Sequence, residues 1–127
     1  MQGYPFQRVA KMNCSIELPW PPSSNTYWRR RGHCYFISNK GQDYREHVSK
    51  LCYSYAGQFN VDSRIRMTIQ AFPPDKRKRD LDNLFKAVLD SLQAAKIYPD
   101  DCQIDELSIK RMPEFDGKII VSMEQIA

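Results

Sequence analysis

The chain has 127 residues, enough for one hydrophobic core of ordinary size and too few for two. Hydrophobic residues make up 42% and charged residues 27%, a balance that excludes a disordered or fibrous chain. No run approaches about eighteen apolar residues, and the N-terminal MQGYPFQRVAKMNC has no apolar stretch of signal-peptide length, so no membrane partner and a cytoplasmic setting are expected.

The net charge of +4 conceals an asymmetry. Residues 1–79 carry 14 Lys/Arg against 5 Asp/Glu, whereas residues 80–127 carry 5 against 10. Two basic runs stand out, Arg29-Arg30-Arg31 and Lys76-Arg77-Lys78-Arg79. One such run is usually a solvated face; two, the first beside Tyr27, Trp28 and Tyr35, point to nucleic acid. Cys14, Cys34, Cys52 and Cys102 lack the C-x2-C clip of a zinc site and are read as reduced thiols without a metal role.

In chain order, residues 14–18 alternate Cys14, Ile16 and Leu18 against Ser15 and Glu17, the period of a half-buried strand. Pro19-Trp20-Pro21-Pro22-Ser23-Ser24-Asn25 cannot continue a ladder, because proline lacks an amide proton. A loop is expected to hold the arginine triplet, followed by a short strand from Cys34 to Ile37. Ser38 suits an N-cap for a helix to about Phe59, with Tyr44, Val48, Leu51, Cys52, Tyr55 and Phe59 on one side.

Residues 64–72 return to strand alternation, and Pro73-Pro74 ends them. After Asp80 a helix is predicted to about Lys96, its apolar arc wide enough to cover a partner subunit as well as a sheet. Pro99-Asp100-Asp101 reads as a turn, and residues 103–112 and 117–124 as two strands of a hairpin around Asp116-Gly117. The expected fold class is α/β (α+β): a single domain with a small mixed sheet and two main helices.

Asp80 and Asp82 straddle Leu81 at a predicted helix start, where aspartate serves as an N-cap and complements the helix dipole. A basic loop feeding a helix N-terminus also suits a phosphate, which adjacent carboxylates would repel unless a divalent cation lay between. Hard oxygen ligands select Mg²⁺ or Mn²⁺, and such an ion polarises a phosphate and acidifies an attacking water. Lys86, four residues after Asp82, is either an ordinary helix-surface ion pair or an ammonium placed against developing phosphate charge. Asp100 and Asp101 suit turn positions, and spacing alone does not separate the two uses.

At these residues the chain resembles the RusA-type Holliday-junction resolvases. The likeness rests on P-W-P-P-S-S-N (19–25), S-N-K-G-Q-D-Y-R-E-H-V (38–48), and above all R-K-R-D-L-D-N-L-F-K-A-V-L-D-S-L (77–92) followed by D-D-C-Q-I (100–104). It runs from about Met12 to the C-terminus, so residues 1–11 are read as an N-terminal extension and 12–127 as the endonuclease domain.

The resemblance implies a homodimeric, Mg²⁺-dependent endonuclease, with Mn²⁺ a possible substitute. It would cut four-way DNA junctions by paired incisions during recombination and repair, in a bacterium or phage-infected host cell. Asp80, Asp82 and Asp101 match the family's metal-binding aspartates, Lys86 its catalytic lysine, and Asp100 a neighbouring acidic position. Arg29, Arg30, Arg31, Lys76, Arg77, Lys78 and Arg79 would contact backbone phosphates. The alternatives are a non-catalytic DNA-binding module with capping aspartates, or a metal-dependent nuclease acting on other branched DNA or RNA.

A helix over residues 81–96 would span about 24 Å, and the five-residue advance from Lys96 to Asp101 reaches at most about 17 Å. One chain would therefore hardly bring all three carboxylates to one metal. Two helices antiparallel across a dyad would, giving composite sites with Asp80, Asp82 and Lys86 from one subunit and Asp101 from its partner.

Overall fold

The computed structural model describes residues 13–126, so the extension expected at residues 1–11 lies outside the described residues. Strand β1 (Asn13–Pro19) ends at the prolines. Helical turn α1 (Ser24–Tyr27) follows, with Ser23 as its N-cap. The arginine triplet lies in strand β2 (Trp28–Arg31), paired antiparallel with β3 (Cys34–Ile37), rather than in the expected loop. Gly32 takes a positive φ of 60° as the first central residue of a two-residue turn, and that turn closes the hairpin.

Helix α2 (Asn39–Leu51) starts where expected: the Ser38 hydroxyl accepts from the Gly41 N–H at 3.0 Å. It stops well short of Phe59. Cys52 leaves helical geometry, and the amides of Gly57 and Phe59 bond instead to the carbonyls of Lys96 and Ile97. Of the expected apolar stripe Tyr44, Val48, Cys52 and Phe59 are buried and Tyr55 is half-buried, but Leu51, at the end of the helix, is exposed. Tertiary hydrogen bonds thus override a helical period that the side chains alone would permit.

Strand β4 (Arg64–Phe72) has the expected limits, with Ile65, Met67, Ile69 and Ala71 fully buried. Helix α3 (Phe85–Ala94) is shorter than predicted, because residues Leu81–Leu84 form a 3-10 turn. Lys96 ends it in the left-handed conformation (φ 65°), with Lys96 N–H to Gln93 O and Ile97 N–H to Leu92 O forming the paired bonds of a Schellman motif.

Strands β5 (Ile104–Arg111) and β6 (Lys118–Ile126) do not form a hairpin. The four-stranded sheet has the order β1-β6-β4-β5, with β4 and β5 parallel and the other pairs antiparallel. Parallel partners need a crossover of a dozen residues or more, which the segment containing α3 supplies. The connection from β5 to β6 then passes over the end of β4, held by Met112 N–H to Ala71 O and Asp116 N–H to Pro73 O. Register aligns Leu18, Ile119 and Ala71, and Ile16, Val121 and Ile69, on one apolar face. Helices α2 and α3 contribute Val48, Ala87, Val88 and Leu92 to the same core.

All four cysteines are free thiols, and burial pushes those of Cys14 and Cys52 up to about 11, so they pack as small apolar groups. No described helix is long and apolar enough to cross a membrane.

Candidate active site

Pro73 ends β4 and the chain runs through the basic loop into Asp80, which occupies the N-cap position of the 3-10 turn at φ −82°, ψ 129°. Its carboxylate makes no capping hydrogen bond. Asp82 lies in the first turn, and both side chains are exposed. Lys86, in the first turn of α3, forms no ion pair with Asp82 among the described residues, because the tighter 3-10 turn breaks the α-helical stacking of positions four apart. Ser24 braces this start by donating to the Asn83 carbonyl at 3.0 Å, which fastens the proline-serine loop to the aspartate motif.

The basic loop divides into two kinds of residue. Arg79 and Arg77 both pair with Asp75, at 2.8 and 3.1 Å, and together hold that carboxyl well below the usual range. The Arg79 guanidinium also lies 5.8 Å over the Trp20 ring, and its carbonyl accepts from Arg111 at 2.5 Å. Arg79 therefore shapes the loop as well as charging it. Lys76 and Lys78 are exposed and make no salt bridge among the described residues, which leaves them free for phosphate.

The second aspartate pair is separated by geometry where spacing could not do so. Asp100 caps the turn Asp101–Gln103, accepting from Cys102 N–H at 2.9 Å, while the Gln103 side chain accepts from the Asp100 N–H in a capping box. Asp101 is turned the other way: Tyr98 donates to its Oδ1 at 2.8 Å, and its own N–H donates to Gln93 Oε1 at 3.0 Å. Burial raises the Asp101 carboxyl and the Tyr98 hydroxyl opposes that, while the charges of Asp90 and Asp100 raise it further and Lys86 lowers it. A half-buried carboxylate of this kind gains from a cation.

Tyr98 also donates to the Leu89 carbonyl, so Asp101 is folded back against the second half of α3 rather than beyond its end. Lys86 acts on it electrostatically. Even so, no group of three His, Cys, Asp or Glu side chains close enough to hold a metal occurs among the described residues, and Asp80, Asp82 and Asp101 are not gathered within one chain.

Asp90 was not singled out by sequence reasoning. It accepts from the buried Tyr27 hydroxyl and pairs with Arg45 at 3.0 Å. Burial and the Asp90 hydrogen bond raise the Tyr27 phenol. The spacing Asp82, Lys86, Asp90 was the available signal: three charged residues at intervals of four in a segment rich in apolar residues.

Residues 19–124 match the endodeoxyribonuclease RusA family. The chain belongs to this family. Relatives include the crossover junction endodeoxyribonuclease of Enterobacteria phage HK97, 48% identical over 79% of this chain and 83% of its own length. That of Shigella sonnei is 38% identical over 81% and 86%, and that of Enterobacteria phage 82 is 37% identical over 80% and 85%. The RusA match begins at the last residue of β1 and takes in every candidate site residue, so the resemblance drawn from the motifs holds for the family and for the mixed α/β fold.

Proposed function

We propose that this RusA-family chain is a divalent-cation-dependent endodeoxyribonuclease that resolves four-way DNA junctions by paired incisions as a homodimer. The observation that carries the reading is the state of Asp80 and Asp82. They stand where helix caps stand, beside a basic loop, yet make no cap and no ion pair among the described residues. That argues against a DNA-binding module whose aspartates merely cap a helix.

Their oxygen donors suit Mg²⁺ or Mn²⁺, and Asp80 and Asp82 would hold the ion with Asp101 of a second copy of the chain. A divalent ion bound there supplies polarisation of the scissile phosphate and a more acidic attacking water. Lys86 presents an ammonium to the charge that develops on the phosphate. Tyr98 and Gln93 fix the orientation of Asp101. Lys76 and Lys78, with Arg29, Arg30 and Arg31, neutralise backbone phosphates, while Arg77 and Arg79 add charge from a loop that Asp75 holds in shape.

The test uses duplex, flap and four-way-junction DNA with and without Mg²⁺, and the variants Asp82→Asn and Asp101→Asn. Wild type should cut the junction only with metal, and each variant alone should be inactive. Refolded together, the two should regain nicking, because a heterodimer with composite sites holds one intact site. Sites built within single chains would leave every site damaged and the mixture inactive despite demonstrated heterodimers.

A further inference from the structure

The hairpin of β2 and β3 holds none of the aspartates or the lysine of the cleavage site described above, yet it carries one of the two basic runs and is exposed throughout residues 29–36. Residues 28–37 contain three arginines and no acidic residue. Register places Arg30 opposite Tyr35 and Arg29 opposite Phe36, so each face of the ribbon carries both an aromatic ring and an arginine. The Arg30 guanidinium lies 5.8 Å from the Tyr35 ring centre and that of Arg31 lies 5.9 Å from Phe36. Tyr35 is nevertheless 68% exposed and Phe36 43%. Single exposed aromatics are ordinary. Two on a ribbon without carboxylates, each beside a guanidinium, form a surface complementary to an anion that also presents flat apolar faces.

The root of the ribbon is fixed to the helix that carries the cleavage residues. Ser24 donates to Asn83, and the Tyr27 hydroxyl donates to Asp90. Trp28 and Ile37 pack against the core, and the Ser38 N–H and hydroxyl close the base on the Tyr27 and Thr26 carbonyls. Gly41 permits that closure, since a Cβ there would lie 2.6 Å from an Ile37 methyl and 2.8 Å from the Tyr27 carbonyl. A lone two-stranded hairpin is marginal in water. This one is held at its base and projects its rings at a set position relative to Lys86.

We propose that Tyr35 and Phe36 are specificity-determining residues that stack on base faces left unstacked at a DNA branch point while Arg29, Arg30 and Arg31 hold the flanking phosphates. In continuous duplex every base is covered by its neighbours and the rings have no partner. At a branch or bulge, base faces are open, and aromatic stacking on such faces is sequence-tolerant. The ribbon thereby selects structure rather than sequence. This inference rests on the junction-cleaving reading and deepens it.

The experiment compares wild type with Tyr35→Ala/Phe36→Ala and with the ring-preserving Tyr35→Phe/Phe36→Tyr, in metal-free buffer at fixed salt. The DNAs are a continuous duplex, the same duplex with a two-nucleotide bulge, and a four-way junction. Wild type should prefer both the bulge and the junction over duplex. The alanine variant should lose on the order of tenfold or more of that preference, with duplex affinity within about twofold and unchanged thermal unfolding. The ring-preserving variant should keep the preference. Equal weakening on all three DNAs, or no weakening on any, overturns the proposal. Ring-dependent preference for the bulge but not the junction would support the ribbon's stacking role and sink the junction reading; a wild type with no preference at all overturns both.

Discussion

At the turn before β5, Asp100 spends its carboxylate on the backbone, capping Cys102 N–H within a capping box. At the turn before α3, Asp80 occupies the corresponding position and makes no cap, and the Asp82 carboxylate has no hydrogen-bond or ion-pair partner among the described residues. Both segments are short 3-10 turns entered from extended backbone, and both have an aspartate at the N-cap. What differs is the surroundings. The first turn is locked by Gln103, which also donates to the Asn60 and Ser63 carbonyls, whereas the second is braced from outside by Ser24 and fed by a basic loop. At the turn before α3 a hydroxyl from outside holds the backbone, and the aspartates make no cap. A cap is therefore a statement about hydrogen bonds and not about residue type.

The comparison can be broken most severely at Lys86. If it answers charge on the phosphate, Lys86→Ala should lower single-turnover cleavage on the order of 10²–10³-fold with junction affinity nearly unchanged. Normal turnover would return Lys86 to an ordinary helix surface. The basic loop gives a smaller effect of a different kind. Lys76→Ala with Lys78→Ala should reduce the slope of log affinity against log salt by about 1.8 on duplex DNA. Because Arg77 and Arg79 share Asp75, the same neutralisation there should also lower the melting temperature, which the lysine pair should not do.

On the other turn the expected readout is stability. Asp100→Ala should cost about 0.5–2 kcal/mol in denaturant unfolding and leave cleavage by the folded protein intact. Loss of activity without loss of stability would move Asp100 into the site. Tyr98→Phe removes the hydroxyl shared by Leu89 and Asp101 and should cost about 1 kcal/mol. It should also raise the Mg²⁺ concentration required for cleavage, as expected for a group that positions a metal-binding carboxylate.

The strands β1 and β4 and the start of α2 are legible from period and capping chemistry alone, because each depends on residues within one turn or one pleat. The 3-10 turn over Leu81–Leu84, by contrast, delays the start of α3 to Phe85. The pairing of β5 is not legible, since Asp116-Gly117 offers a plausible turn and only the crossover through α3 sets β5 beside β4. The end of α2 is lost for a related reason: the amides of Gly57 and Phe59 bond across the fold to Lys96 and Ile97, which no local pattern records. In the site, the motif placed Asp80, Asp82 and Lys86 together. It could not tell Asp100 from Asp101, because adjacent residues in a turn point in different directions and only Tyr98 and Gln103 decide which one caps. Asp90 escaped notice because its partners Tyr27 and Arg45 are 63 and 45 residues away in the sequence.

The central claim is that the carboxylates of Asp80 and Asp82 serve a divalent cation and not the helix. It is tested most directly by thermal unfolding of wild type and Asp80→Ala/Asp82→Ala, each with and without Mg²⁺. Without metal the variant should melt close to wild type, within about 1 kcal/mol, the scale of the helix-dipole interaction of exposed aspartates. Added Mg²⁺ should raise the melting temperature of wild type and leave the variant unmoved, because an ion that binds only the native state stabilises it in proportion to its affinity. A variant that loses the stability of a broken cap yet responds to Mg²⁺ as wild type does would contradict the account.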